Sequence, residues 1–128
     1  MKIYIQRALI CLSLALFAIS LNAQSLEDQV AGTWNTEDGD SSVIKMYKSQ
    51  DGTWVGKIIS TDVTRSIGKF LFVEGVFNSE ENIIEGTIII PDKEWRIATT
   101  LSIEEPGVLT VLGQKFLLSK TFYWKKRA

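Results

Sequence analysis

Glu37, Asp38 and Asp40 crowd one short segment. Oxygen-rich turns of this kind hold calcium. Their spacing does not follow an EF-hand loop, because no glutamate closes it at the required distance. Asp38, Gly39 and Asp40 equally supply the backbone angles of a tight hairpin. The sequence therefore predicts a turn here and no metal site. Asp62, Glu74 and Glu85 are the acids available for carboxylate-based hydrolysis, which needs two of them facing across a cleft. Glu74 and Glu85 lie in otherwise apolar runs, a setting that suits a general acid or an outer face beside water. Nothing in their spacing fixes a mutual geometry, so no residue is assigned as catalytic and the chain is expected not to be an enzyme. Trp34, Tyr47, Trp54, Trp95 and Tyr123 form the remaining candidate set. Aromatics facing a barrel interior either fill the core or line an apolar pocket with a few polar handles. In the second role these five are the expected contacts for a small hydrophobic or amphipathic ligand, with Trp54 and Trp95 foremost.

Absent residues narrow the chemistry. The 128 residues contain no histidine, and the single cysteine is Cys11. Zinc sites built on nitrogen and sulfur are excluded, as are serine or cysteine nucleophiles activated by histidine. No cofactor is predicted.

The elements that must position the aromatics read as strands. Trp95, Ile97, Thr99, Leu101 and Ile103 alternate with Glu94, Arg96, Ala98, Thr100 and Ser102. This period of two marks a strand with one buried face. Ser42–Lys48 and Thr53–Ser60 flank Ser49-Gln50-Asp51-Gly52, a hairpin turn by composition. Phe70–Phe77 and Ile83–Ile90 flank the polar segment Asn78–Asn82. Thr33–Thr36, Val108–Leu112 and Ser119–Lys125 complete the set, and Leu26–Ala31 is a short helix with Ser25 as its cap. Short turns between successive strands predict an all-β fold, a small antiparallel up-and-down β-barrel of about eight strands. An interior of that size takes side chains or one small ligand. The strands are shorter than the roughly 9–11 residues an outer-membrane strand needs, so a membrane-spanning barrel is not expected. Phe70–Val73 and Ile88–Ile90 are apolar on both faces. Their second face is expected to meet Leu26 and Val30, or a second copy in a homodimer.

The N-terminus has the layout of a cleavable signal peptide. Lys2 and Arg7 precede an apolar run from Ala8 to Leu21, and Ala23 offers a small residue at the cut. Residues 1–23 are thus expected to be removed, leaving residues 24–128 as one domain in the periplasm or outside the cell. Cys11 leaves with the signal, so the domain must hold together without a disulfide. Without Lys2 and Arg7, twelve basic residues face fifteen acidic ones, a formal charge of about −3. Such a balance gives no general attraction for nucleic acid.

One ordered series of motifs resembles a known family. Gly32-Thr33-Trp34 runs into Asp38-Gly39-Asp40; Gly56-Lys57-Ile58 follows in the second hairpin; Thr121-Phe122-Tyr123-Trp124 closes the chain. Together they are similar to the Domain of Unknown Function 2147 family of small exported bacterial proteins. The segment Ile90–Trp95 departs from that family's pattern. The resemblance implies export and a small barrel and brings no activity with it. Gly32-Thr33-Trp34 also resembles the opening of lipocalin and fatty-acid-binding barrels, where the first-strand tryptophan plugs the barrel base beside a basic residue at the chain's end. The likeness implies that role for Trp34, with Arg127 beside it.

Overall fold

The computed structural model describes residues 25–36, 41–90 and 93–127. The predicted signal segment, the predicted turn residues Glu37, Asp38, Gly39 and Asp40, and the pair Pro91-Asp92 lie outside the described residues. Helix α1 (Leu26–Val30) precedes eight strands. They are β1 (Gly32–Thr36), β2 (Ser42–Lys48), β3 (Trp54–Thr61), β4 (Phe70–Asn78), β5 (Ile83–Ile90), β6 (Trp95–Glu105), β7 (Val108–Lys115) and β8 (Leu118–Lys126). Each pairs antiparallel with its neighbour in sequence, and β1 pairs with β8 to close the barrel. Closure is the physical solution for a meander whose edges would otherwise expose unpaired backbone. The expected all-β, eight-strand, up-and-down barrel is what forms.

Alternation sets the inner wall. Ile44 and Met46 of β2, Ile84 of β5, Leu101 of β6, Leu109 and Val111 of β7 and Trp124 of β8 all face one buried cluster. Each such aliphatic side chain contributes about 1.5–3 kcal/mol by leaving water. The two-faced strands are resolved by irregular pairing. In β4 the register shifts beside Leu71 and again between Val73 and Val76, where Glu74 has φ 60°. The shifts let Phe72 point in, keep Leu71 against the core and leave Phe70 outside beside Lys57. In β5, Ile88 is buried and Ile90 packs against the core, while Ile89 pairs outward with Arg96.

Helix α1 plugs one end of the barrel. Leu26 and Val30 join the interior cluster rather than covering the outside of β4 and β5. The predicted Ser25 cap does not form; its hydroxyl donates to Asp28 Oδ2 at 3.1 Å instead. Besides the Trp34 bond to Val30, three ties hold the helix. The Leu26 N–H donates to Asn82 Oδ1 at 2.9 Å, at the β4–β5 turn. Glu27 Oε2 accepts from Trp54 Nε1 at 3.0 Å and from Lys48 Nζ at 3.2 Å. Lys126 Nζ donates to Gln29 O at 3.3 Å and to Ala31 O.

The Glu27 tie has a pH signature. The Trp54 hydrogen bond, then that of Lys48 and its charge, hold the Glu27 carboxyl below its ordinary value of 4.5 against an opposing effect of burial. A carboxylate with a lowered folded-state pKa adds stability above its unfolded-state value and loses it as pH falls through the lowered one. Glu27→Gln is therefore expected to be less stable than wild type at neutral pH. The gap should close on acidification below 4.5. Urea midpoints over a pH series check this, and a gap that stays constant or widens rejects it.

Candidate functional site

The two ends of the barrel differ in chemistry. At the plugged end, Trp34 and Trp54 are buried under α1. Trp34 Nε1 donates to Val30 O at 2.8 Å, and Lys126 Nζ stands 4.7 Å from the Trp34 ring centroid. The basic residue beside Trp34 is thus Lys126, not Arg127. The register explains it: Lys126 lies opposite Trp34 and on the Trp124 side of β8, so Arg127 falls on the other face. The Arg127 N–H donates to Thr33 O. Burial holds the Lys126 ammonium pKa below its ordinary 10.5.

The interior between the ends is filled by side chains. Phe72 lies across the barrel with its ring against two glycines. A Cβ added at Gly86 would stand 2.4 Å from Phe72 Cζ, and one at Gly75 would stand 2.6 Å from Cε2. Met46 fills the space over Gly56 in the same way. The backbone has given up side-chain volume so that one ring and one thioether fill the waist.

The other end is the mouth. Alternation carried outward from buried Leu101 and Thr99 puts Ile97 and then Trp95 on the inner side of β6. The same rule applied from Val111 puts Gly113 and Lys115 on the inner side of β7. From Trp124 it puts Phe122, Lys120 and Leu118 on the inner side of β8. Ring contacts agree with this placement. Lys115 Nζ is 4.2 Å from the Trp95 centroid, Lys93 Nζ is 4.4 Å from it, and Lys120 Nζ is 4.9 Å from the Phe122 centroid. Ile90, Ile97 and Phe122 are partly buried and pack against the core below. Ile97 sits over Gly113, whose added Cβ would meet Ile97 Cγ2 at 3.3 Å. This end therefore carries a partly buried apolar set, Ile90, Ile97 and Phe122, with one tryptophan and three ammonium groups beside it. That combination holds an apolar chain by burial and an anionic group by charge.

The five aromatics singled out in the sequence do not gather into one pocket. Trp34 and Trp54 serve the plug, Trp95 the mouth, and Tyr47 and Tyr123 the outer wall. Tyr47 lies on the outer face beside Lys45, whose Nζ is 6.0 Å from its centroid. The acids do not face one another. Glu74 pairs with Arg96 Nη2 at 2.6 Å on the outside, and Glu85 and Asp62 are exposed. No carboxylate among the described residues is buried. Among those residues no group of histidine, cysteine, aspartate or glutamate is placed to hold a metal, and no helix is long and apolar enough to cross a membrane.

Lys115, Lys120 and Phe122 were missed as mouth residues. Their signal was available: a lysine falling on the inward parity of a strand, near its end, belongs at an opening. Comparison with protein-family models, with curated proteins and with solved structures finds no match to this chain.

Proposed function

We infer that this chain is a binding protein that holds one small anionic amphiphile at the mouth of its barrel. The observation that carries this reading is the inward-facing set at the unplugged end, where Lys115 and Lys120 stand over the rings of Trp95 and Phe122. The acyl portion would lie on Ile90, Ile97 and Phe122, and the anionic group would meet the lysines. The filled waist keeps the ligand at the mouth and out of the barrel's centre. A binder fits the chemistry better than a hydrolase, since the sequence has no histidine and the described carboxylates are exposed or ion-paired at the surface. The same proposal takes the protein to be exported after removal of residues 1–23, in keeping with its likeness to the Domain of Unknown Function 2147 family. A homodimer has less support: the outward remnant of the two-faced strands comes down to Phe70, Val73 and Ile89, spread beside charged Lys57 and Arg96.

Titrating tryptophan fluorescence with decanoate below its aggregation concentration tests the assignment. One molecule per chain is expected to saturate the signal. Lys115→Gln with Lys120→Gln should weaken binding about tenfold, as loss of a charge-assisted hydrogen bond does. Decyl ammonium binding as well as decanoate would remove the lysines from the account. Absence of saturation with any alkyl carboxylate, sulfate or phosphate would remove the function.

A further inference from the structure

The largest exposed apolar cluster among the described residues is neither core nor ligand floor. The β7–β8 connection is Lys115-Phe116-Leu117-Leu118. Phe116, Leu117 and Leu118 are 94%, 101% and 78% exposed. Ordinary surfaces carry single apolar residues, whereas three adjacent ones at a tip mark an interaction site. Trp95 is 48% exposed beside them, and Ile67, Ile59 and Phe70 add exposed apolar surface on strands and loops at the same end. The opposite end carries none of these; Val76 and Tyr123 are the other two large exposed apolar residues among those described.

The tip also projects. The described pairing of β8 with β1 ends at Trp124, while its pairing with β7 continues to Leu118. The projection is past β1 alone; β6 accompanies β7 as far as Ala98 opposite Gln114, and Trp95 reaches Lys115. Its backbone is held at a cost as well. Phe116 has φ 58°, a conformation that glycine adopts freely and phenylalanine does not. Glycine there would make the easier turn, so a bulky ring thrust into solvent from a strained position needs a reason.

Charge says what covers the tip. Lys93, Lys115 and Lys120 line the mouth side of it, and none of the three has an ion pair among the described residues. Asp92 and Glu94 flank Lys93 in sequence. An apolar tip, a tryptophan at its shoulder and a set of long cationic side chains match the layers of a lipid surface. Apolar side chains enter the acyl boundary, the indole lies at headgroup level, and the ammonium groups meet anionic phosphates.

We propose that the β7–β8 tip docks the barrel onto an anionic phospholipid bilayer, with Phe116, Leu117 and Leu118 inserted and Lys93, Lys115 and Lys120 on the headgroups. The barrel mouth, which opens beside the tip, then faces the membrane. The docking shares Lys115 and Lys120 with the ligand reading, and the tip residues Phe116 and Leu117 separate the two.

Sedimentation with vesicles tests it, using the full chain and a chain beginning at Gln24. Every described core residue lies between Leu26 and Trp124, so the shorter chain keeps the whole core. The shorter chain is expected to partition onto phosphatidylcholine vesicles containing phosphatidylglycerol and not onto phosphatidylcholine alone, and salt should weaken the binding. Leu117→Glu should lower partitioning at least about tenfold, as withdrawal of one buried leucine does. Phe116→Gly should lower it too while leaving the urea midpoint unchanged or higher, so loss of binding cannot be loss of fold. Both variants should still bind decanoate, which separates this proposal from the mouth site. Binding that ignores headgroup charge, or tip variants that bind like wild type, would overturn it. So would a dimer that Leu117→Glu breaks, without vesicle binding, which would make a second copy the occupant.

Discussion

Replacing Phe72 with alanine is expected to lower the free energy of unfolding by about 4 kcal/mol. The urea midpoint should fall while the slope of the transition stays the same, since the change empties space without altering the surface exposed on unfolding. The size of the effect follows from where the ring lies. Phe72 is fully buried, and Gly75 and Gly86 leave its ring the room their own side chains would take. Strands closed into a barrel cannot collapse inward to fill the void, so the cost sits toward the upper end for a buried phenylalanine. The converse substitution probes the same contact. Gly86→Ala is expected to cost about 1–3 kcal/mol by overpacking. In a Phe72→Leu background it should cost less, because the nearest obstacle, Cζ at 2.4 Å, is gone. The Val73 carbonyl at 2.8 Å remains in both backgrounds, so the relief is partial. A double-mutant cycle reads the difference as coupling. Equal costs in the two backgrounds would show that the ring and the glycine do not share that space.

Trp34→Ala is expected to cost a similar amount, about 3–5 kcal/mol. Trp34→Phe divides that loss. The phenyl ring retains most of the apolar burial but cannot donate, so the Val30 carbonyl, which accepts from Nε1 at 2.8 Å, is left without that partner. Stranding a buried acceptor costs about 1–3 kcal/mol. The lost bond also joins α1 to the first strand, so part of the damage should be local. Hydrogen exchange at the α1 amides and cleavage near Ala31 should rise in Trp34→Phe more than at the β6–β7 ladder. A variant as stable as wild type, with α1 equally protected, would mean that the indole N–H contributes nothing to the plug. The remaining ties, through Leu26, Glu27 and Lys126, set how far the helix can loosen.

Much of the architecture was legible because period-two patterning is local. Trp95 to Ile103 displayed its buried face in sequence, and the turn at Ser49–Gly52 carried residues suited to its backbone. The meander followed from short connections. The hairpin at Phe116-Leu117 was not legible, because nothing polar or glycine-rich marks it. Its φ of 58° at a phenylalanine contradicts the turn chemistry that sequence patterns rely on. The strand partners of Lys115 and Lys120 were hidden with it. The irregular pairing in β4 was also invisible, since a shift of one residue reverses which side chains face in. That is why Phe70–Val73 looked apolar on both faces and needed an outside partner to explain it.

The candidate site divides along the same line. The sequence by itself determined which chemistry is excluded, through the absence of histidine and the loss of Cys11 with the predicted signal. It also determined that the aromatics would lie on strands. Tertiary structure alone decided which end each one serves. Trp34 and Trp54 went to the plug because α1 folds over them; Trp95 went to the mouth because β6 begins at the opposite end of the barrel, across from Ile90. Phe72 and Met46 took the waist, and their fit depends on glycines 3–16 residues away in sequence that the pairing of β2, β3, β4 and β5 brings into contact. A barrel's strand pattern is written residue by residue. Its filled waist, its plugged end and its cationic mouth depend on which strands closure brings together, and no local run of residues carries that information.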